Sequence, residues 1–548
     1  MAFIVKKKIK GNEYYYLNEN KRVGGKVKTK TLAYLGKTRK DAEKKMKEIL
    51  SKTDAKEEKE FNQTKVSIED LATFCKRKGF VYPSGEIYGG LAGFWDFGPL
   101  GVELKNNIKR EWWKYHVYQR RDVVGIDGSI ITNPKVWKAS GHVDSFSDVF
   151  VICVKCKKPS KIDKAELGKA KCDFCGGDFD EKTAREFKLM FKTLVGEDTE
   201  SYLRPETAQL IFANFKSVYE NARMKLPFGI AQIGKAFRNE IAPRDFIFRS
   251  REFEQMEIEY FIKPNEKCNF EIPNEEILIY SAEAQEKNQN PEKMKISDAL
   301  KKGIIKKDWH AYWLAIEFKF FKEFGANPEN FRIRQHKKDE LAHYSSDCWD
   351  LEYNFPFGWK ELEGIADRKD YDLSQHEKFS GKDMKVFDEE SKEKILPHVV
   401  CEPSLGVERA FLVFMFDSYF HDKKRENIIL KLHPKLSPIK AAIFPIVKKP
   451  EFEKIAKEIY EMLRENWNIL YDESGSIGKR YARNDEAGTP FCITIDEKTL
   501  ENKTVTIRDR DTAEQIAIKI SELNDALKKA VDGENILKFG KKVDTRKK

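Results

Sequence analysis

No apolar run in this chain approaches the roughly 18 residues of a membrane span. The best candidate, "AFLVFMF" at 410–416, stops at Asp417, so a helical membrane protein is not expected. The first residues pass from Met-Ala-Phe-Ile-Val straight to "KKK" with no apolar leader, which argues against secretion. Cysteine is scarce too. Only nine occur in 548 residues, and four of them form two CxxC pairs, a distribution that excludes a disulfide scaffold and favours a metal. Charge is plentiful instead: 35% of residues are charged beside 40% hydrophobic and 12% aromatic, a globular balance. A single core does not grow to this length, so three or four domains are expected, in a cytoplasmic protein.

The positive charge is not spread evenly. Residues 1–50 hold 15 Lys/Arg against 5 Asp/Glu and so carry ten of the chain's net +11. "FIVKKKIKGNEYYYLNENKRVGGKVKTKTLAYLGK" alternates Val, Ile and Tyr with Lys and Thr around a turn at Val23-Gly24-Gly25, which predicts three strands. "TRKDAEKKMKEIL" then predicts a helix over 38–50 with Thr38 as its cap. The module is either a solvated appendage or a nucleic-acid-binding arm. Clustered lysines with interleaved tyrosines favour the arm. Residues 51–65 have no apolar period and read as a linker.

From Val66 the chain reads as a large α/β body. "GVELKNNIKREWWKYHVYQRRDVVGID" predicts a long helix with apolar positions at Val102, Leu104, Ile108, Trp112 and Val117. "GSIITNPKVWKASGHVDSF" predicts a strand whose Pro134 confines it to an edge or an interface. "CVKC" and "CDFC" place Cys153, Cys156, Cys172 and Cys175 with fifteen residues between the pairs, the spacing of a four-thiolate zinc ribbon. Four thiolates close a tetrahedral sphere, so that zinc would be structural.

One stretch carries chemistry. In "FRNEIAPRDFIFRSREFEQMEIEYF" (237–261), "REFEQMEIEYF" puts Phe253, Gln255, Glu257 and Glu259 on one strand face and Met256, Ile258 and Tyr260 on the other. Upstream, Arg238 and Glu240 lie at i and i+2 at the end of "GIAQIGKAFRNE", read as a strand, with a loop at Pro243 between the two. Arginine for phosphate, an aromatic ring for a base and carboxylates for a cation or ammonium make a nucleotide site.

These residues resemble motif 2 of a class II aminoacyl-tRNA synthetase. "EPSLGVERAFL" (402–412) looks like motif 3, and the segment around Pro134 like the dimer-forming motif 1. "YGGLAGFWDFGPLGVELKNN", "YLRPETAQ", "ELEGIADRKDYDL" and "PHVVCEPSLGVER" are similar to dimeric glycyl-tRNA synthetases over roughly 66–525, the cysteine pairs resembling archaeal-type members. The resemblance implies an α+β fold: an antiparallel catalytic sheet over 66–435, with the zinc ribbon near 150–180 and an insertion near 263–332 that could approach the tRNA end. An α/β anticodon-binding domain over 436–530 and a basic tail at 531–548 would follow. "IKAAIFPIV", "KPEFEKIAKEIYEMLREN", "GTPFCITID" and "KTVTIRDR" suit that C-terminal domain, with "GSIGKRYARNDEAGTPF" as a basic loop.

It also implies roles. ATP would be held by Arg238, Asn239, Glu240, Phe248, Arg249, Phe253, Glu361, Leu362, Gly406, Glu408 and Arg409. Of these, Arg238, Glu240 and Arg409 would be catalytic, and Glu361 and Glu240 the Mg²⁺ ligands. Phe253 would stack on adenine, with Arg409 on its other side. Glycine would lie among Glu206, Phe253, Gln255, Glu257, Glu402, Ser404 and Gly406, its ammonium among the carboxylates. Lys161 of "SKID" stands where many relatives carry an arginine; it keeps the charge and loses the bidentate fork. The partners implied are ATP, glycine, tRNA(Gly) and a second copy of the chain. A non-catalytic nucleic-acid-binding descendant would be expected to lose Arg238, Glu240, Phe253 or Arg409. Another amino-acid specificity would lack the three glutamates 206, 257 and 402.

Overall fold

The computed structural model describes residues 2–9, 12–23, 26–36, 38, 39, 45, 66–162, 167–172, 174–342 and 344–543. The chain divides into two compact units, 1–66 and 67–548.

The first unit is an antiparallel meander of β1 (Ala2–Ile9), β2 (Asn12–Val23) and β3 (Lys26–Gly36), in that order across the sheet. Tyr15, Leu17 and Leu35 form its small core, with Ile4 and Ala33 against them. Tyr14 and Tyr16 both pack on Tyr34, which is half exposed. The helix expected over 38–50 lies, except at Thr38, Arg39 and Lys45, outside the described residues, as does the linker 51–65.

The second unit is built on a nine-stranded sheet. Its strands in chain order are β4 (Val123–Gly125), β5 (Phe228–Phe237), β6 (Glu252–Ile262), β7 (Glu276–Tyr280), β8 (Glu292–Lys295), β9 (Phe331–Gln335), β10 (Asp347–Phe355), β11 (Gly358–Asp367) and β12 (His398–Gly406). Across the sheet they run β8-β7-β9-β10-β11-β12-β6-β5-β4, antiparallel except where β7 meets β9 and β5 meets β4. The helices that cover it are α1 (Pro99–Trp113), α2 (Ala208–Asn221), α3 (Asp308–Glu323) and α4 (Val407–Ser418). α1 buries Leu104, Ile108 and Trp112, but Val102 is exposed, and the helix winds into a π-turn at Lys114–Tyr118 before β4.

Pro134 does not sit in a strand; it opens a short helix, Pro134–Ala139, with Asn133 as its cap, where a missing N–H costs nothing. The span 263–332, expected as an insertion, is integral to the core: β7 and β8 extend the central sheet and α3 buries Trp309, Trp313, Phe318 and Phe321. Residues 531–543 are not a free tail: Ile536 is in a core, and Lys541–Lys542 pairs with the strand Gln515–Lys519.

C-terminal to the sheet, β13 (Ala441–Pro445), β14 (Ile469–Tyr471), β15 (Phe491–Ile495), β16 (Thr504–Asp509), β17 (Gln515–Lys519) and β18 (Lys541–Lys542) form a mixed sheet in the order β14-β13-β15-β16-β17-β18. α5 (Pro450–Arg464) and α7 (Ile520–Val531) pack on one face through Phe452, Ile459, Leu463, Leu523 and Leu527. The expected basic loop at 475–491 is largely a helix, α6 (Ile477–Ala487), capped by Ser476 and ended by Gly488. Its Arg480 is buried and donates to the carbonyls of Pro445, Glu473 and Gly475, so it is not a free cation for nucleic acid. No helix among the described residues is long and apolar enough to cross a membrane.

Candidate active site

The front faces of β6, β12, β11 and β10 floor a cavity of about 540 Å³. Every residue expected to bind ATP or glycine lines it except Asn239, whose amide donates to the Leu189 carbonyl. Lys161 also lines it, paired with Asp148 at 2.8 Å. The strand periodicity explains this gathering. β6 runs antiparallel to β5 from Phe228↔Phe261 to Phe237↔Glu252, so alternate side chains of β6 face the cavity.

At one end lies a buried acidic cluster. Glu257 is 2% exposed; its Oε1 accepts from Ser404 Oγ (2.6 Å) and Gln255 Nε2 (3.0 Å), and its Oε2 from the Thr207 amide (2.9 Å) and hydroxyl. Glu206 stands 3.2 Å from His142 Nε2 and accepts from Gln209 Nε2 at 3.1 Å. Glu402 receives two bonds from one guanidinium nitrogen of Arg368, at 2.8 and 3.0 Å. Arg368 is itself fully buried, holds Asp372 with its other nitrogens, and lies 3.8 Å from the centre of the Tyr344 ring.

The protonation states of these carboxyls diverge. Burial raises Glu257 above the usual carboxylate range, and Glu206 adds to it. Burial also pushes Glu402 up to about 8. Glu259, on the same face and wholly buried without a hydrogen-bond partner among the described residues, is also raised well above its ordinary value, by burial and by Glu402. Burial acts on Glu206 as well, but His142, Arg368 and Arg238 outweigh it and hold that carboxyl below its ordinary value. Carboxyls gathered in one buried cluster cannot all ionise without a cation.

At the other end the cations dominate. Arg238 and Glu240 follow the last residue of β5, Phe237, and do not lie in the strand as expected. Arg238 donates from Nε to the Pro205 carbonyl at 3.0 Å, and its guanidinium lies 5.4 Å from the Phe253 ring and 5.6 Å from that of Phe146. Arg249 holds Glu240 at 2.8 Å. Arg409 donates to the Glu361 carbonyl at 3.0 Å and lies 3.2 Å from its carboxylate and 4.7 Å from the Phe248 ring. Glu408 faces inward, paired with Lys105 at 2.5 Å, and accepts the Glu254 amide at 2.9 Å, so it anchors β6 to α1.

Sequence reasoning did not assign His142, Phe146, Tyr344 or Arg368. Arg368 stood in a quoted string, "ELEGIADRKDYDL", and a lone arginine beside an acidic run was the signal available. The other carboxylates of β6 are not all solvated: Glu259 is buried, and Glu254 sits on the back face against Lys105 (2.7 Å) and Lys109 (3.0 Å) of α1.

A three-stranded sheet of Ser147–Cys153, Pro159–Ile162 and Phe179–Lys188 carries the cysteine pairs. The four sulfurs all lie within 4.8 Å of one another, with Cys153 and Cys175 at 3.5 Å and Cys156 and Cys172 at 3.6 Å. Tetrahedral zinc–thiolate bonds require about 3.8 Å between sulfurs, so the donor set fits.

Residues 191–419 match the tRNA synthetase class II core domain (G, H, P, S and T), and 440–530 an anticodon binding domain. The chain is 45% identical to the glycine–tRNA ligase of Borrelia hermsii, over 84% of this chain and 96% of that protein. The chain belongs to the glycine–tRNA ligases. The Treponema denticola ligase is 42% identical over 85% of this chain and 97% of its own length, and that of Clostridium kluyveri 44% over 85% and 98%. Residues 4–65 match a different model, the N-terminal domain of IS1634 family transposases.

Proposed function

We propose that this chain activates glycine with ATP, forming glycyl-adenylate and pyrophosphate, and then transfers the glycyl group to the 3′ end of tRNA(Gly). One observation carries the reading: a pocket acidic at one end and cationic at the other, on the sheet of a glycine–tRNA ligase. Glycine offers only an ammonium, a carboxylate and the lack of a β-carbon. Glu206, Glu257 and Glu402 hold the ammonium, and Gln255, Ser404 and Gly406 would surround the α-carbon and exclude a larger side chain. Rejecting bigger competitors by clash needs no editing domain.

The reaction brings two anions together, so screening is the first requirement. Arg238 binds the glycine carboxylate and the α-phosphate, held in aim by the Pro205 carbonyl. Phe253 stacks on adenine and Arg409 holds the terminal phosphates, with Phe248, Arg249 and Leu362 completing the nucleotide side. The glycine carboxylate oxygen attacks phosphorus while pyrophosphate leaves; no side chain forms a covalent bond. Glu361 and Glu240, carboxylates at the pocket's edge, are oxygen donors of the kind Mg²⁺ prefers, and there it would neutralise charge on the departing pyrophosphate. Lys161 adds a cation near the glycine carboxylate.

Zinc in the four-cysteine site would stiffen the small sheet that carries Lys161. We also place a second copy of the chain against the region of Pro134, where Ile130 and Ile131 are exposed, and the whole in the cytoplasm. The N-terminal meander we read as a nucleic-acid-binding arm: its charge, its tyrosine cluster and its likeness to a transposase domain all favour a nucleic acid over a bare appendage. Pyrophosphate exchange into ATP that depends on glycine tests the reaction; exchange without glycine dependence contradicts it.

A further inference from the structure

The cavity contains one group of side chains that the reaction above does not use. Cys348 and Asp350 are two apart on β10 and therefore point to one face, into the cavity. His336, just past β9, is tied to the same strand by its amide, which donates to the Cys348 carbonyl at 2.9 Å. Its Nε2 stands 2.7 Å from Asp350 Oδ2. The imidazole nitrogen, the thiol sulfur and the carboxylate oxygen all lie within 4.8 Å of one another. The hydrogen bond accounts for His336 and Asp350; it does not account for a free, buried thiol placed beside them.

We propose that His336, Cys348 and Asp350 form a second metal site, selective for a soft divalent cation of the zinc class. Imidazole, thiolate and carboxylate are the three donor types of tetrahedral zinc sites. Three protein ligands leave a fourth position open, here toward the cavity. Binding releases the thiol proton and forms a metal–sulfur bond, with no change of oxidation state. Mg²⁺ demands oxygen ligands in an octahedron and does not compete for such a set.

The site also has a consequence for the nucleotide. Asp350 pairs with Gly364 of β11, and a side chain at Gly364 would begin 3.8 Å from Asp350 Oδ1 and 4.0 Å from Glu361 Oε1. The two carboxylates thus flank one opening, which the glycine keeps clear. A cation on Asp350 would crowd the approach of ATP to Glu361, so zinc and ATP oppose each other. This second part rests on the assignment of Glu361 to the nucleotide; the binding itself does not.

The test is a Co²⁺ titration of the metal-free full chain, read by thiolate-to-cobalt charge-transfer absorption and by bound cobalt per chain. Cys348→Ser and His336→Ala should each bind one equivalent fewer than the parent, and excess Mg²⁺ should not displace that equivalent. Cys172→Ser should retain it, which separates it from the four-cysteine site. Equal cobalt in the parent and both variants overturns the site; having two variants guards against one misfolding. In glycine-dependent exchange, Zn²⁺ should raise the KM for ATP several-fold in the parent and less in His336→Ala. Cobalt binding as expected with an unmoved KM would refute the antagonism alone.

Discussion

Ser404 and Glu257 face each other across β12 and β6, and the serine hydroxyl donates to the glutamate Oε1 at 2.6 Å. With Gln255 on the same oxygen and Thr207 on the other, the carboxylate is fixed before any ligand arrives. Fixed charge that meets the substrate ammonium equally in ground and transition states should show in binding, not in turnover. Glu257→Gln should therefore raise the KM for glycine by roughly 10-fold or more, the scale of one charge-assisted hydrogen bond, and leave the KM for ATP nearly unchanged. Arg238→Ala should instead lower kcat for adenylate formation by roughly 10²-fold or more, because it meets charge that redistributes at the α-phosphate. Steady-state pyrophosphate exchange separates the two. A normal glycine KM in Glu257→Gln would show that this carboxylate does not face the amino acid.

The raised carboxyls give the pocket a pH signature. Between its ordinary value of 4.5 and its folded value of about 8, Glu402 binds more protons in the folded chain than in the unfolded one. Stability attributable to it is therefore present below about 4.5 and is lost as pH rises toward 8. Glu257 acts in the same direction. Glycine brings a compensating ammonium, so its stabilisation should grow over the same window. Melting curves should show a larger glycine-induced rise in Tm at pH 8 than at pH 6; an equal or smaller rise at pH 8 would contradict the placement of the ammonium.

The four cysteines should hold one Zn²⁺ per chain as a closed thiolate site. Cys172→Ser should lose that zinc, lower Tm and impair tRNA charging before adenylate formation. Elemental analysis of that variant alongside both assays checks the order; zinc unchanged by the substitution would count against the site.

The strands that floor the pocket were legible because alternation on β6 sorts side chains by face, and the strings around 238, 257, 361 and 402 resemble a known family. What escaped has a physical cause. A charge on an alternating strand reads as solvent-facing, and nothing near Glu254 announces that Lys105 and Lys109 will neutralise it from a helix far upstream. α3 is buried nearly all round, and a helix apolar on every side loses the period that would mark it; the lysines flanking it made the span look like a polar insertion. α6 holds Gly478, two arginines and a lysine, so it reads as a basic loop, although Ser476 and Gly488 are ordinary helix ends.

The N-terminal unit has its own core and its own charge. Removing residues 1–55 should weaken tRNA binding at low salt and flatten its dependence on salt, since each phosphate neutralised steepens that slope. Glycine-dependent exchange should be unaffected. Filter binding at several salt concentrations reads the result; unchanged affinity and slope would leave the module without an RNA role.

The central claim is that this pocket activates glycine and no other amino acid. ATP–pyrophosphate exchange with each of the twenty amino acids in turn tests it most directly. Exchange well above background with glycine alone is the result expected; exchange with a different amino acid, or with none, would contradict it.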